Sequence, residues 1–265
     1  VTGKTYETLL IETRDRVDYV TMNRPDRLNA LNPQLVDDLL DYFQQLYFDR
    51  DTRIVVLTGA GRAFCAGLDM KEHRSSNDSV EAGLLVQRRI SEIVMRMRRC
   101  PQPIVALING PAAGGGFAFA LAADMRIAAE GARMNAAFIK LGISGCDIGV
   151  SYFLPRLVGV SLASEMLMTG RFIDAQRAYE AGLLSEVVPP EELMEAGERL
   201  VADLRATSPI GLRLTKECLN QSIDAPSLEA AIYMEDRNQI LAAQSGALRE
   251  GIQAFLDKRP PRYEG

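Results

Sequence analysis

Histidine is nearly missing from this chain: among 265 residues there is one, His73, and tryptophan does not occur. A single histidine excludes multi-histidine metal sites and makes any Ser–His or Cys–His scheme depend on that one imidazole. The four cysteines, Cys65, Cys100, Cys146 and Cys218, are scattered and form no CxxC pair, so they read as free thiols of a reducing compartment. No GxSxG elbow is present, which removes the usual serine-hydrolase route. No apolar run approaches the length needed to span a bilayer, and VTGKTYETLL lacks the basic-then-apolar order of a secretory leader. A cytoplasmic protein is the expectation. Positive charge is not in excess either. A formal net charge of −5 speaks against nucleic acid and anionic membrane as partners.

What remains is apolar material, at 47% of residues, enough for a sizeable core. Thr8–Ile11 and Val17–Met22 read as a strand hairpin around the charged turn Glu12–Arg16. Asn32 and Pro33 open a helix as N-cap and first residue, and Val36, Leu39, Leu40, Phe43 and Leu46 share one of its faces. Ile54–Thr58 and Pro103–Asn109 are short β-branched runs of the kind buried on both faces of a parallel sheet. Ile90–Met97 and the small-residue stretch Gly114–Ala123 read as helices, and Met125–Ala128 as another strand. This rhythm predicts an α/β core with right-handed crossovers. Beyond about Ile148 strand signals fade to Glu186–Val188. Helical patterns follow at Glu191–Ala206, Ile210–Gln221, Ser227–Ala243 and Ala247–Lys258. The expected division is a core over residues 1–190 and a helical region over 191–265. Lys71–Ser79 is polar and aperiodic, a loop beside whatever site exists.

Two glycine-rich turns follow buried strands, GAGRAFCAGLDMKE at Gly59–Glu72 and NGPAAGGGFAFALAADMRI at Asn109–Ile127. Glycine lets backbone N–H groups approach a ligand, and a helix starting there adds the positive end of its dipole. Either turn alone serves equally well for close helix–sheet packing. A dinucleotide site fits poorly, because the second turn lacks GxGxxG spacing, and no Gly-Lys-Ser/Thr marks a phosphate loop.

Taken in order, the motifs resemble the crotonase superfamily, the enoyl-CoA hydratase/isomerase family. They are NRPDRLNAL at Asn23–Leu31, IVVLTGAGRAFCAGLDM at Ile54–Met70, PQPIVALINGPAAGGG at Pro101–Gly116, and LAADMRIA. LPRLVG at Leu154–Gly159, MLMTGRFIDAQRAYEAGLLSEVV at Met166–Val188 and FLDKRPP at Phe255–Pro261 complete the series, which covers almost the whole chain. The resemblance implies a spiral α/β core of ββα units with a helical C-terminal trimerisation region, forming a homotrimer or a dimer of trimers. It implies an oxyanion hole made by the amides of Leu68 and Gly115; one such donor is worth on the order of 3 kcal/mol in a dry site. Coenzyme A, as part of an acyl-CoA thioester substrate, would lie along Arg27 and Leu28, with Ala66, Asp69 and Met70 at the adenine-side turn. Lys71 and Lys258, the latter from a neighbouring subunit, are the phosphate candidates, each also readable as a solvated charge. No metal or redox cofactor is indicated.

Hydratases of the family hold their water with two glutamates, and the matching positions here are Ala118 and Phe138. Water addition needs one group as base toward water and an acid toward carbon, and neither residue moves a proton. Asp147, with one inserted residue after Gly142, matches the aspartate of some dienoyl-CoA isomerases and of a dehalogenase branch. That branch also needs a tryptophan, which the chain lacks. In an apolar pocket of Phe117, Phe138 and Leu141 the Asp147 carboxyl would be raised toward the working range of a base. It would equally serve as an N-cap for the following helix. Asp69 reads as a turn-fixing residue. Glu72, His73, Cys65, Cys146 and Tyr152 are weaker candidates, the cysteines as fillers and Tyr152 as core packing. Three functions follow. The first is an enolate-stabilising enzyme in which Asp147 shuttles one proton to isomerise a double bond. The second is an acyl-CoA-binding protein that has lost its chemistry. The third is a hydratase using non-standard acids.

Overall fold

A computed structural model of the chain describes residues 4–72 and 79–263. His73, and most of the loop expected at Lys71–Ser79, lie outside the described residues. The main sheet has the order β1-β2-β3-β4-β6-β9. β1 (Leu9–Arg14) pairs antiparallel with β2 (Val17–Met22). β3 (Ile54–Gly59), β4 (Ile104–Ile108), β6 (Met125–Ala129) and β9 (Glu186–Val188) then follow β2 in parallel. The hairpin turn is tighter than its charge suggested. Asp15 and Arg16 both take positive φ, 50° and 67°, as a two-residue turn between twisted strands requires. Glu12 and Arg14 therefore stay in an exposed edge strand, where charge is tolerated.

Alternation along the parallel strands sorts their side chains onto two faces. Val55, Leu57, Ile104, Ala106 and Ile108 enter the larger core, beneath α1 (Pro33–Phe48), α2 (Val80–Arg99) and α3 (Gly115–Ala122). Ile54, Val56, Val105 and Leu107 enter the smaller one, beneath α7 (Leu193–Arg205). Cover on both faces is the reason these strands are continuously apolar. Asn32 does cap α1, its side chain accepting from the Leu35 N–H at 2.9 Å, and Ser79 caps α2 in the same way through Ala82. α2 is longer than its apolar core Ile90–Met97 predicted, because its first turns face outward and carry no periodic signal.

A small second sheet, β5-β7-β8, joins β5 (Ala112–Ala113), β7 (Arg133–Asn135) and β8 (Ile173–Asp174). α4 (Val150–Val158), α5 (Val160–Thr169) and α6 (Ala175–Glu180) surround it. The C-terminal helices are α8 (Pro209–Ser222), α9 (Leu228–Gln244) and α10 (Ala247–Leu256). They expose Leu219, Ile223, Leu228, Tyr233, Ile240, Leu248, Ile252 and Phe255, and α9 has no buried residue. Among the described residues, no helix is long and apolar enough to cross a membrane.

The parallel order has a positional consequence. The turns after β2, β3 and β4 emerge at one edge of the sheet, and the segments leading into those strands lie at the other. At that other edge Arg16, Arg50 and Pro101 line a cavity of about 860 Å3 together with Ala247, Glu250, Arg262 and Tyr263.

α3 is held close to the first turn by the absence of a side chain at Gly116. A Cβ there would lie 2.1 Å from the Cys65 carbonyl oxygen and 2.7 Å from the Cys65 Cβ. Gly116→Ala is therefore expected to destabilise the protein by roughly 3 kcal/mol through overpacking. Thermal unfolding followed by circular dichroism should show a midpoint lower by roughly 10 °C.

Candidate functional site

The first wall of the site is the segment after β2. Pro25–Arg27 form a short 3-10 turn, after which Leu28 and Asn29 both adopt left-handed backbone, φ 52° and 55°. Asn29 tolerates that conformation and is fully buried there. Its amide donates to the carbonyls of Ala60 at 2.9 Å and Ala63 at 2.8 Å, and its oxygen accepts the Arg24 N–H at 2.9 Å. Backbone bonds then zip the turns after β2 and β3 together. Ala66 N–H donates to Leu28 O at 3.0 Å, Leu31 N–H to Gly67 O at 2.7 Å, and Asp69 N–H to Leu31 O at 2.9 Å. In such a parallel bridge the residue between the two bonded positions points its own amide the other way. That residue is Leu68.

The second turn lies on that other side. Cys65 and Ala112 form a further parallel bridge, Ala113 N–H donating to Cys65 O at 3.0 Å. Gly114, at φ 52°, donates to Asn135 O at 3.0 Å and turns the chain into α3. Gly115 is the first residue of that helix, so its N–H has no intrahelical partner. Gly67, at φ 87°, brings the two turns into contact, since a Cβ on it would stand 3.4 Å from the Gly115 nitrogen and 2.7 Å from the Ala113 oxygen. The turn carrying the Leu68 amide and the Gly115 amide at the start of α3 are thus brought into contact, where the positive end of α3 adds to the local field. Donors so arranged can stabilise an oxygen that gains negative charge.

Arg24, which the sequence reading passed over, clamps this edge. Its guanidinium donates to the Ala30 carbonyl, to Asp69 at 3.2 Å and to Glu72 at 2.8 Å. Asn32 also donates to Glu72, at 2.8 Å. Asp69 is buried. Burial alone would raise its carboxyl, but the N–H groups of Lys71 and Glu72 and the Arg24 guanidinium outweigh that and hold it below the usual range. Both acids beside the turn are engaged in holding it. Of the coenzyme candidates, Leu28 and Ala66 are half-buried, and Arg27, Met70 and Lys71 are exposed along the same rim. Lys258 is not gathered with them. It is exposed, and Glu250 and Arg262, to either side of it in the chain, line the cavity at the other edge of the sheet.

Asp147 lies in the segment leading to α4 and is partly buried. It does not cap that helix: Gly149 occupies the cap, and the Asp147 carbonyl accepts the Val150 N–H at 2.9 Å. Its carboxylate instead accepts the Ile148 N–H at 2.8 Å and the side-chain amide of Gln87 from α2. Burial raises the carboxyl above the ordinary aspartate value, and these two donors pull it part of the way back. The neighbouring Ile148 side chain reaches Gly115, with its Cδ1 3.6 Å from where a Gly115 Cβ would be. The pocket expected around the acid is only partly as drawn. Phe117 is fully buried in the core and Leu141 is largely exposed, while the Phe138 ring lies under Gly114, 3.4 Å from a Cβ placed there. Ala118 is fully buried on α3.

The remaining candidates separate. Cys65 is a buried filler whose thiol burial pushes up to about 12, whereas Cys146 is exposed. The Tyr152 hydroxyl donates to Asp224 with the Arg156 guanidinium over its ring, a surface arrangement and not core packing. Among the described residues, no group of three or more His, Cys, Asp or Glu side chains is placed to hold a metal ion.

The fold is crotonase-like, and comparison with known proteins agrees. A sequence model of the enoyl-CoA hydratase/isomerase family matches residues 12–265. A Mycobacterium bovis protein named probable enoyl-CoA hydratase echA12 is 36% identical over 266 residues, covering 98% of this chain and 93% of its own length. The 1,2-epoxyphenylacetyl-CoA isomerase of Escherichia coli is 35% identical over 261 residues, covering 98% and 99%. A crystal structure of an enoyl-CoA hydratase from Bacillus anthracis superposes with a TM-score of 0.93 at 35% identity, covering 98% of this chain and all of that one. The chain belongs to the enoyl-CoA hydratase/isomerase family.

Arg24→Met leaves the Asp69 charge without its cation. The expected cost at pH 7 is on the order of 2 kcal/mol, below that of a deeply buried pair because Glu72 beside it meets solvent. Asp69 has a lowered folded pKa, so its stabilisation is present above the unfolded value of about 4 and is lost as pH falls through the folded one. Urea unfolding of both proteins should therefore show a gap at pH 7 that narrows in acid.

Proposed function

We propose that the protein is an acyl-CoA isomerase that moves a double bond, with Asp147 as its single proton shuttle. The thioester carbonyl sits between the Leu68 and Gly115 amides, which stabilise the enolate formed when Asp147 removes a proton from the acyl chain. The same carboxyl returns the proton to a different carbon, so one acid suffices. The observation that carries this reading is the distribution of carboxylates around the hole. Asp147 stands one residue from the Ile148 side chain that rests on Gly115, while Ala118 and Phe138 fill the positions where water-adding relatives place their glutamates. Asp69 and Glu72 are bound to Arg24 and have no freedom to act on substrate.

Coenzyme A lies along Arg27, Leu28, Ala66, Asp69 and Met70, with Lys71 as a point charge for phosphate. Asp69 serves that turn indirectly, by holding the N–H groups of Lys71 and Glu72. The apolar surfaces of α8, α9 and α10 are covered by further copies of the chain in a trimer or a dimer of trimers. There the exposed Lys258 reaches the rim of a neighbour. A second reading, an acyl-CoA-binding protein without turnover, draws on the same replacement of both glutamates by Ala118 and Phe138.

The test is to mix the protein with 3-enoyl-CoA and 2-enoyl-CoA thioesters and follow the conjugated-thioester absorbance, with calorimetric binding in parallel. Conjugated product should appear from the 3-enoyl substrate, and Asp147→Asn should lower kcat by about 10²-fold or more. Rapid loss of 2-enoyl absorbance would instead mean hydration by other acids. Tight binding without turnover of either substrate would establish the binding protein. The carboxyl must be ionised to act, and burial raises it, so kcat/KM should fall on acidification at a pH above the ordinary aspartate range.

A further inference from the structure

Asp147 is held asymmetrically. Both of its hydrogen bonds, from the Ile148 N–H and from the Gln87 amide, fall on one carboxylate oxygen, Oδ1. Among the described residues nothing donates to Oδ2. Ile148 cannot set the direction of the carboxylate alone, because its N–H belongs to the same short segment and moves with it. Gln87 comes from α2, which is anchored in the core through Ile90, Ile93, Val94 and Met97. Among the described residues, it is the one side chain that fixes Asp147 to an independent part of the fold.

Resting on the isomerase reading above, we propose that Gln87 is the positioning residue of this site: it pins Oδ1 so that Oδ2 alone takes the substrate proton and returns it. In the first step a C–H bond of the acyl chain breaks and an O–H bond forms at Oδ2. The electron pair moves into the enolate, whose negative oxygen faces the Leu68 and Gly115 amides. In the second step that O–H bond breaks and a C–H bond forms at the other end of the allylic unit, so no co-reactant is consumed. Free rotation of the carboxylate would offer either oxygen at either carbon, at a cost in orientation each time.

The same bond sets the pH range. A donor to the ionised form favours it, so Gln87 opposes the burial that favours the neutral acid. The other groups around Asp147 do not supply this balance. On α2 the adjacent Arg88 is exposed, and Arg89 is paired with Asp37 of α1. α3 carries no titratable side chain, and the Asp147 segment itself offers Ile148 and the exposed Cys146.

Gln87→Met, which keeps length and helix propensity and removes the donor, is the test variant. Its pH–rate profile is compared with those of the unaltered protein and of Asp147→Asn, with the thermal midpoint and the Kd for an unreactive acyl-CoA analogue as controls. The acidic limb of kcat/KM should move up by about one pH unit, from loss of one charge-assisted bond. At neutral pH kcat should fall roughly tenfold with KM changed less than about twofold, as for a residue acting only in the chemical step. If Asp147→Asn is inactive but the Gln87→Met profile superimposes on that of the unaltered protein, this inference fails and the shuttle stands. A uniform loss of kcat with the limb unmoved overturns it as well, because scaffolding alone would do that. Full activity of Asp147→Asn overturns the isomerase reading, and the role of Gln87 with it.

Discussion

Two backbone segments approach so closely in this protein that no side chain fits between them. Along Cys65–Gly67 and Ala112–Gly116 the carbonyls and amides of one turn lie against the other. A Cβ at Gly67 or Gly116 would overlap backbone oxygen, at 2.7 Å from Ala113 and 2.1 Å from Cys65. Everything that distinguishes the site depends on this contact. It brings the turn of Leu68 against the start of α3 at Gly115, and it seats α3 with its positive end at the same point. Backbone donors cannot be reoriented by a rotamer change, so the cost of arranging them is met during folding and not at the moment of reaction.

The charges around the contact are arranged to leave it undisturbed. Arg24 gathers Asp69, Glu72 and the Ala30 carbonyl, so the acids nearest the amides act as structural ties. α3 carries no charge at all, with Phe117, Ala118 and Phe119 fully buried beneath the glycines. Asp147, whose burial outweighs its hydrogen bonds, arrives near Gly115 from a different direction, between α2 and α4. The two carboxylates are thereby moved in opposite directions by their surroundings: backbone N–H donors and Arg24 lower Asp69, while burial raises Asp147.

Much of this was legible in the residues. The strands at Ile54 and Ile104 announced themselves as short apolar runs, and Asn32-Pro33 marked the start of α1, because each signal is local and needs no partner. The glycine turns were legible for the same reason: a backbone that must come close to another has to give up its side chains. The ends of elements were less so. Charge at Glu12–Arg16 suggested a broad turn, but an edge strand accommodates charge on its open side. The first turns of α2 were missed because an exposed face has no apolar period. Arg24, Asn29 and Gln87 carried no signal of their own, since a polar residue with buried partners is spelled the same way as one in solvent.

The sequence by itself determined the family, the α/β core with its helical C-terminal region, the two glycine-rich turns, and the absence of carboxylates at positions 118 and 138. These are properties of spacing and of residue type, which survive without knowledge of contacts. Only the tertiary structure decided which acids are free. It tied Asp69 and Glu72 to Arg24, removed Asp147 from the cap of α4 and gave it Gln87 as a partner. The reason is physical: hydrogen-bond partners and desolvation are set by neighbours distant in the chain, and a carboxylate's role follows from them.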